Sequence, residues 1–173
     1  MLAQAAVRAR AKKIRCLFLD VDGVMTDCKL YLADDGSELK AVNVRDGYGM
    51  KQLMKNGIEV AVISGRPSEA MKQRFAFLGI KHYFLDTEEK IPAYESIRDK
   101  LGLTDAQCAH MGDDVPDLPL FQRVGLALAV ADAHPRALKA AHWKSKCVGG
   151  DGAIREAADL ILAAQNRLGG KLE

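Results

Sequence analysis

Two aspartates set two residues apart are the part of this sequence best suited to chemistry. Asp20 and Asp22 directly follow residues 14–19, an apolar run that predicts a buried strand. Because side chains alternate along a strand, both carboxylates can point into one small volume. Such a pair repels unless something uses it, so it indicates a divalent cation together with a nucleophile and a proton carrier. The plainer interpretation is a solvated acidic turn that ends at Gly23.

Further polar residues lie where other predicted elements begin or end. Ser64 follows the apolar residues 59–63, Lys90 begins a predicted helix, and Asp113 and Asp114 follow a third apolar run. Parallel strands bring their carboxyl ends to one edge of a sheet, so these side chains are expected to meet the first two aspartates there. Each has an ordinary explanation by itself, since a serine can end a strand, a lysine can be solvated and aspartates can cap a helix. Jointly they predict a reaction centre.

Strand and helix patterns alternate along the chain and predict an α/β fold. The prediction is a three-layer, doubly wound (Rossmann-like), mostly parallel sheet with no large cap domain. Residues 1–173 are expected to form a single domain with a small β-hairpin insertion at about 28–45. In this prediction the hairpin turns at 34–37, its second strand covers 39–44, and the next helix starts at about Tyr48.

Composition and charge exclude several classes of function. The 173 residues are 49% hydrophobic, and 25 lysines and arginines stand against 23 aspartates and glutamates, which gives a net charge of +2. This balance lacks the basic footprint of a protein that binds nucleic acid. The basic residues 1–15 predict a surface helix, and no apolar stretch has the length of a signal peptide or a membrane span, so no membrane partner is expected. Four scattered cysteines without a Cys-x-x-Cys pair favour a reduced, cytoplasmic protein.

The order of these polar residues resembles the haloacid dehalogenase superfamily of phosphohydrolases. Its four motifs occur in sequence at residues 20–23, Ser64, Lys90 and residues 112–117. The resemblance implies that Asp20 attacks phosphorus and becomes a phospho-aspartate, while Asp22 protonates the leaving oxygen and later deprotonates water. It also implies that Ser64 and Lys90 hydrogen-bond the oxygens of the transferring phosphoryl group.

The same resemblance implies a metal site. Mg²⁺ would be held by a carboxylate oxygen of Asp20, the backbone carbonyl of Asp22 and the side chain of Asp113, with Mn²⁺ and Co²⁺ as alternative metals. Asp114 and Asp117 are expected to orient the surroundings of the metal rather than to touch it. The acid at Asp22 favours phosphoryl transfer, because superfamily members that act on carbon–halogen bonds lack an acid at this position.

Residues 43–49 and several shorter segments resemble a narrower family, the 3-deoxy-D-manno-octulosonate 8-phosphate phosphatases of lipopolysaccharide sugar synthesis. The substrate contacts that this resemblance implies are Asn43, Arg45, Asp46, Gly47, Lys51, Arg66 and Arg74. Arg66 and Arg74 are expected to lie two helical turns apart on one face, where they could clamp the anions of a phosphorylated sugar acid. The family also implies a homotetramer, in which the hairpins pack together and the tail at about 166–173 reaches a neighbouring active site.

Three alternatives stay open on the sequence. A related phosphatase could act on the 9-phosphate of a sialic-type nine-carbon sugar acid, although its relatives tend to carry an acidic residue in place of Arg66. A phosphorelay receiver module shares the doubly wound fold and the clustered acids, but its acceptor aspartate lies on a later strand. A catalytically idle relative could serve as an assembly subunit, yet every catalytic position is filled here.

Overall fold

A six-stranded parallel sheet forms the centre of the computed structural model, which describes residues 1–168. The strands of the described residues are β1 (Cys16–Leu19), β2 (Tyr31–Leu32), β3 (Glu38–Leu39), β4 (Glu59–Ile63), β5 (His82–Phe84), β6 (Cys108–Gly112), β7 (Leu126–Ala129) and β8 (Trp143–Lys144). The central sheet has the order β5-β4-β1-β6-β7-β8, and each neighbouring pair is parallel. Strands β2 and β3 pair with each other as an antiparallel hairpin.

Helices flank this sheet in two packed groups. They are α1 (Gln4–Ala11), α2 (Val44–Lys55), α3 (Glu69–Leu78), α4 (Lys90–Lys100), α5 (Leu118–Arg123), α6 (Pro135–Ala140) and α7 (Ala153–Ala164), with short 3₁₀ turns at Asp105–Gln107 and Val115–Asp117. Helix α7 packs on α1 and α2, and α2 packs on α3, whereas α5 packs on α4 and α6. The predicted three-layer α/β fold is therefore confirmed, and its described residues include no large cap domain.

Strand β1 shows why an apolar run predicted this sheet. All four of its residues are buried, and it lies between β4 and β6, with Cys16 opposite both Glu59 and Cys108. A parallel strand that is covered on both faces buries both sets of its alternating side chains, so its sequence is continuously hydrophobic. Asp20 is the first polar residue after the strand, and it therefore lies at the carboxyl edge of the sheet.

The hairpin and the helix that follows it differ from the sequence prediction. Strand β3 covers only two residues and α2 begins at Val44, so the predicted strand over 39–44 and the predicted helix start at about Tyr48 are wrong. The side chain of Asn43 accepts a hydrogen bond from the backbone N–H of Arg45. This cap satisfies a free donor of the first helical turn, which stabilises a helix in residues whose alternating pattern suggested a strand.

A buried carboxylate fastens α2 to α7. Asp46 accepts hydrogen bonds from the backbone N–H groups of Gly152 and Arg155, at the N-terminus of α7. A helix N-terminus favours negative charge because its free N–H groups and the helix dipole both attract it. Gly49 lets the two helices approach, since a Cβ atom at this position would lie 3.0 Å from the Cα atom of Arg155.

Three short elements had no sequence prediction, namely β5, β8 and α6.

The predicted N-terminal surface helix is α1, which buries only Val7 and Ala11. No helix among residues 1–168 is both long and apolar enough to cross a membrane. The four cysteines are free thiols, and Cys16 and Cys108 are buried in the sheet.

Candidate active site

Three neighbouring strands deliver carboxylates and a hydroxyl to one edge of the sheet. Asp20 follows β1, Ser64 follows β4, and Asp113 follows β6. Lys90 is the first residue of α4, and its Nζ lies 3.1 Å from Oδ2 of Asp20. Carboxylate oxygens of Asp20, Asp113 and Asp117 lie within 4.8 Å of one another. The structure therefore brings together Asp20, Lys90 and Asp113, as expected from their places at strand and helix ends. Asp114 is exposed, and its Oδ1 accepts from the backbone N–H of Val115.

The loop after β1 depends on a glycine. Gly23 has a φ of +86°, in the left-handed region that side chains disfavour. A Cβ atom at this position would lie 2.1 Å from Oδ2 of Asp113, which is inside van der Waals contact. Gly23 thus allows the loop to turn tightly and allows the Asp113 carboxylate to approach the Asp20 strand end.

Asp117 organises the site without offering a free oxygen. Its Oδ1 accepts from Nζ of Lys90 at 2.7 Å and lies 2.8 Å from Nε2 of His110. Its Oδ2 accepts from the backbone N–H groups of Asp113 at 2.9 Å and Asp114 at 3.3 Å. Because these partners use the acceptor capacity of the carboxylate, Asp20 and Asp113 are the members of the cluster that remain available to a cation. This geometry supports an orienting part for Asp117.

The pKa values of Asp113 and Asp117 are shifted in opposite directions. Burial, followed by the charges of Asp20 and Asp117, raises the pKa of Asp113 to about 8. Burial also raises the pKa of Asp20, although the charge of Lys90 opposes that shift. Burial alone would raise the pKa of Asp117, but the contacts with His110 and Lys90 outweigh it and lower this pKa. The surplus of negative charge around Asp113 is what a bound divalent cation would neutralise.

A cavity of about 400 Å³ opens beside these carboxylates. The residues that line it are Asp20, Asp22, Ser64, Gly65, Arg66, Glu88, Lys90 and Pro116. Ser64 is buried, and its Oγ accepts from the backbone N–H of Arg66 at 3.3 Å. The lining thus combines carboxylates with hydroxyl, ammonium and guanidinium donors, and these donors suit a phosphorylated anion.

Comparisons with known proteins agree with this geometry. A family model described as haloacid dehalogenase-like hydrolase matches residues 86–156. The 3-deoxy-D-manno-octulosonate 8-phosphate phosphatase of Escherichia coli (strain K12) is 44% identical over 164 residues, which cover 95% of this chain and 87% of that protein. The chain belongs to the haloacid dehalogenase-like hydrolases.

Solved structures resemble this hydrolase over nearly its whole length. The 3-deoxy-D-manno-octulosonate 8-phosphate phosphatase of Yersinia pestis is 46% identical, with a TM-score of 0.94 over 95% of this chain and 89% of that chain. The phosphatase of the same name from Moraxella catarrhalis, in complex with magnesium, phosphate and KDO, is 34% identical. Its TM-score is 0.91 over 94% of this chain and 93% of that chain.

The predicted substrate residues of this hydrolase separate into two places. Arg66 lines the cavity with the carboxylates, whereas Gly47, Lys51 and Arg74 line a second cavity, of about 170 Å³, that shares no residue with the first. Arg66 precedes α3, which begins at Glu69, so the expectation that Arg66 and Arg74 share one helix face is wrong.

The remaining predicted substrate residues lie at the start of α2. Asn43 caps that helix and donates from its Nδ2 to Asp151, Arg45 is exposed in the first turn, and Asp46 is the buried acceptor at α7. Gly47 permits close packing, because a Cβ atom there would lie 2.5 Å from Nη2 of Arg74. Of these four residues, Gly47 lines the second cavity, whereas Asp46 is buried against α7.

Sequence reasoning missed three polar residues that contact the active site of this hydrolase. Lys40 pairs with Asp22, Glu38 pairs with Arg66, and His110 contacts Asp117. Glu38 and Lys40 are two residues apart near the end of the hairpin, so the alternation that paired Asp20 with Asp22 also places them on one side. That signal was present in the sequence. For His110, which lies within an apolar strand, the sequence has no comparable signal.

Proposed function

We propose that this hydrolase is a divalent-metal-dependent phosphomonoesterase that converts 3-deoxy-D-manno-octulosonate 8-phosphate into the free sugar acid and phosphate, in lipopolysaccharide sugar synthesis in the cytoplasm. The observation that carries the proposal is the contact of Lys90 with Asp20 beside Asp113, in a cavity that Ser64 and Arg66 also line. The relatives named above support the choice of substrate. Arg66 favours this substrate over a nine-carbon sialic-type acid, because phosphatases of that second kind tend to carry an acidic residue at this position.

The residues at the base of the cavity would divide the reaction into two steps. The Asp20 carboxylate attacks phosphorus in line, the bond from phosphorus to the sugar oxygen breaks, and Asp22 gives its proton to that oxygen. Asp22 then removes a proton from water, which attacks the phospho-aspartate and releases phosphate from Asp20. Ser64 and Lys90 donate hydrogen bonds to the phosphoryl oxygens in both steps, where negative charge builds up.

Asp20, the backbone carbonyl of Asp22 and Asp113 would hold the metal. The donor set fits Mg²⁺, since hard oxygen ligands suit it and carboxylate oxygens of Asp20 and Asp113 lie within 4.8 Å of each other. Mn²⁺ and Co²⁺ accept the same kind of ligand and are alternatives. When bound, the cation supplies positive charge that offsets the repulsion between the carboxylates and the phosphate dianion.

A homotetramer is the assembly that we propose. The hairpin and the start of α2 expose large apolar side chains, with Leu32, Leu39 and Val44 all more than half exposed. Exposed apolar patches of this kind mark interfaces. In this assembly a set of residues in and beside the second cavity would contact the substrate held by a neighbouring copy, namely Asn43, Arg45, Gly47, Lys51 and Arg74. Asp46 would fix α2 against α7 and so keep these residues in place. The tail at 166–173 is the other proposed contact, and its residues 169–173 lie outside the described part of the chain.

Phosphate release tests the catalytic proposal. Asp20→Asn should abolish turnover of the octulosonate phosphate while the protein stays folded, because an amide is not a nucleophile; Asp34→Asn, on the exposed hairpin turn, is the matched control. Turnover that persists in Asp20→Asn and disappears with a chelator would mean that another residue attacks phosphorus.

Substrate selection is tested by Arg66→Ala. The variant should lose far more kcat/KM on the octulosonate 8-phosphate than on a small aryl phosphate, which has no carboxylate to bind. An equal loss on both substrates would refute the assignment of Arg66 to the sugar acid. The nine-carbon 9-phosphate is assayed in parallel, and a higher kcat/KM on it would replace the proposed substrate.

A further inference from the structure

A lysine with a buried side chain reaches the active site from the hairpin. The side chain of Lys40, just after β3, is 4% exposed, and its Nζ contacts Oδ1 of Asp22 and lies 3.1 Å from Oε1 of Glu38. A buried ammonium is costly unless hydrogen-bonded carboxylates compensate it, and here two do so. The position of this lysine is therefore determined by its contacts rather than by solvent.

The same contacts continue to Arg66, which also lines the cavity. Oε2 of Glu38 accepts from Nη2 of Arg66 at 2.6 Å. These contacts form a row of alternating charges, which runs from Asp22 through Lys40 and Glu38 to Arg66. The hairpin is joined to the reaction centre through this row, although β2 and β3 do not pair with the central sheet.

Among residues 1–168, Lys40 is the one side chain that hydrogen-bonds the Asp22 carboxylate. Asp22 is about a quarter exposed, so without that contact its side chain could rotate toward solvent. A proton carrier must lie within hydrogen-bond reach of the atom that it serves, and a small displacement costs rate steeply.

We propose that Lys40 is a positioning residue, which holds the Asp22 carboxylate toward the oxygen that leaves the phosphorus. The inference rests on the proposed function, because it needs Asp22 as the proton carrier. Lys40 acts through Asp22 and does not itself touch the reacting atoms. Its removal should therefore weaken proton transfer and leave phosphate binding by Ser64 and Lys90 intact.

Comparing substrates with different leaving groups distinguishes a positioning role of Lys40 from a purely structural role. The variant is Lys40→Met. The control is Lys29→Met, which removes an exposed lysine whose one ion pair among residues 1–168 is with Asp27. We expect kcat/KM on the octulosonate 8-phosphate to fall about 10- to 100-fold, part of the full contribution of a general acid. On p-nitrophenyl phosphate, whose leaving group needs no proton, kcat/KM of the variant should stay within about threefold of the value for the unmutated protein. The reason is that kcat/KM reports the steps up to departure of the leaving group. Lys29→Met should match the unmutated protein on both substrates.

A double-mutant cycle provides the second readout. In an Asp22→Asn background, Lys40→Met should cause no further loss of kcat/KM on the sugar phosphate, because the group that it positions is already gone. Any of three results would overturn the inference. They are an equal loss of kcat/KM on both phosphate esters, losses that multiply in the double variant, and full activity of Lys40→Met. Circular dichroism checks folding, and Lys40→Gln, which keeps a donor, takes the same assays if Lys40→Met does not fold.

The two proposals fail in different ways. If the unmutated protein shows no phosphatase activity that depends on a divalent metal and on Asp20, the proposed function is wrong and this inference falls with it. If that activity is present and Lys40→Met leaves it unchanged on both substrates, only the positioning task of Lys40 is wrong.

Discussion

Replacement of Asp117 by asparagine tests the network behind the active site. The carboxylate faces Lys90 and His110 with one oxygen and two backbone N–H groups with the other, and its side chain is 1% exposed. An asparagine amide has one accepting oxygen and one donating nitrogen, so it can serve only one of these two sides. Whichever way the amide lies, either Lys90 or the two backbone N–H groups lose an acceptor.

The magnitude follows from these lost contacts. Each hydrogen bond to a charged group contributes about 1.5–3 kcal/mol, and breaking a buried ion pair costs about 3–5 kcal/mol. Lys90 keeps Asp20 as a second partner at 3.1 Å, which places the expected loss near the lower end, about 3 kcal/mol. For a chain of this size such a loss lowers the Tm by about 6–12 °C.

Calorimetric unfolding of the metal-free protein at pH 6 is the assay. At this pH Asp113 keeps its proton, because its pKa is about 8, so removal of the Asp117 charge relieves little repulsion. Asp114→Asn is the matched control, since Asp114 is the same residue type, lies three positions away and is exposed; we expect its Tm to change by less than about 3 °C. A Tm of Asp117→Asn within about 2 °C of the unmutated protein, or equal to that of the control, would refute this account of the network.

Three further predictions concern the metal site and the packing around it. The pKa of Asp113 is raised from 3.8 to about 8, so the metal-free folded protein binds this proton more tightly than the unfolded chain does. The stability of the metal-free protein should therefore fall as the pH rises from about 4 to about 8. Scanning fluorimetry should show a larger Tm gain from Mg²⁺ at pH 8 than at pH 6, and Asp113→Asn should flatten this difference. Gly23→Ala should weaken Mg²⁺ binding at least tenfold by calorimetry, whereas Gly57→Ala, which also has a positive φ but open space around it, should bind Mg²⁺ normally. Asp46→Ala should lower the free energy of unfolding in urea by about 1–2 kcal/mol, because α7 loses its N-terminal acceptor, and a loss near zero would show that water replaces the carboxylate.

Much of the fold and of the catalytic group could be predicted from local patterns. The central strands are buried on both faces, and this burial leaves continuous apolar runs that end at the polar residues of the site. Asp20, Ser64 and Asp113 were placed together because each directly follows one of these runs, and parallel strands end at a common edge. The motif residues carry this information within a few positions of the chain.

Other features were missed because the local pattern was too short or ambiguous. Strands β5 and β8 have three and two residues, too few for a periodic pattern to distinguish them from loops. The start of α2 was decided by the Asn43 cap, and the separation of Arg66 from Arg74 by the start of α3 at Glu69.

The sequence by itself determined which residue types are available at the strand ends, and with them the class of chemistry. Only the tertiary structure decided that Lys40 contacts Asp22, that His110 and Lys90 share an oxygen of Asp117, and that Glu38 pairs with Arg66. The physical reason is that a strand or helix pattern reports which side of one element is buried, whereas the partner of a buried charge is set by how separate elements pack against each other.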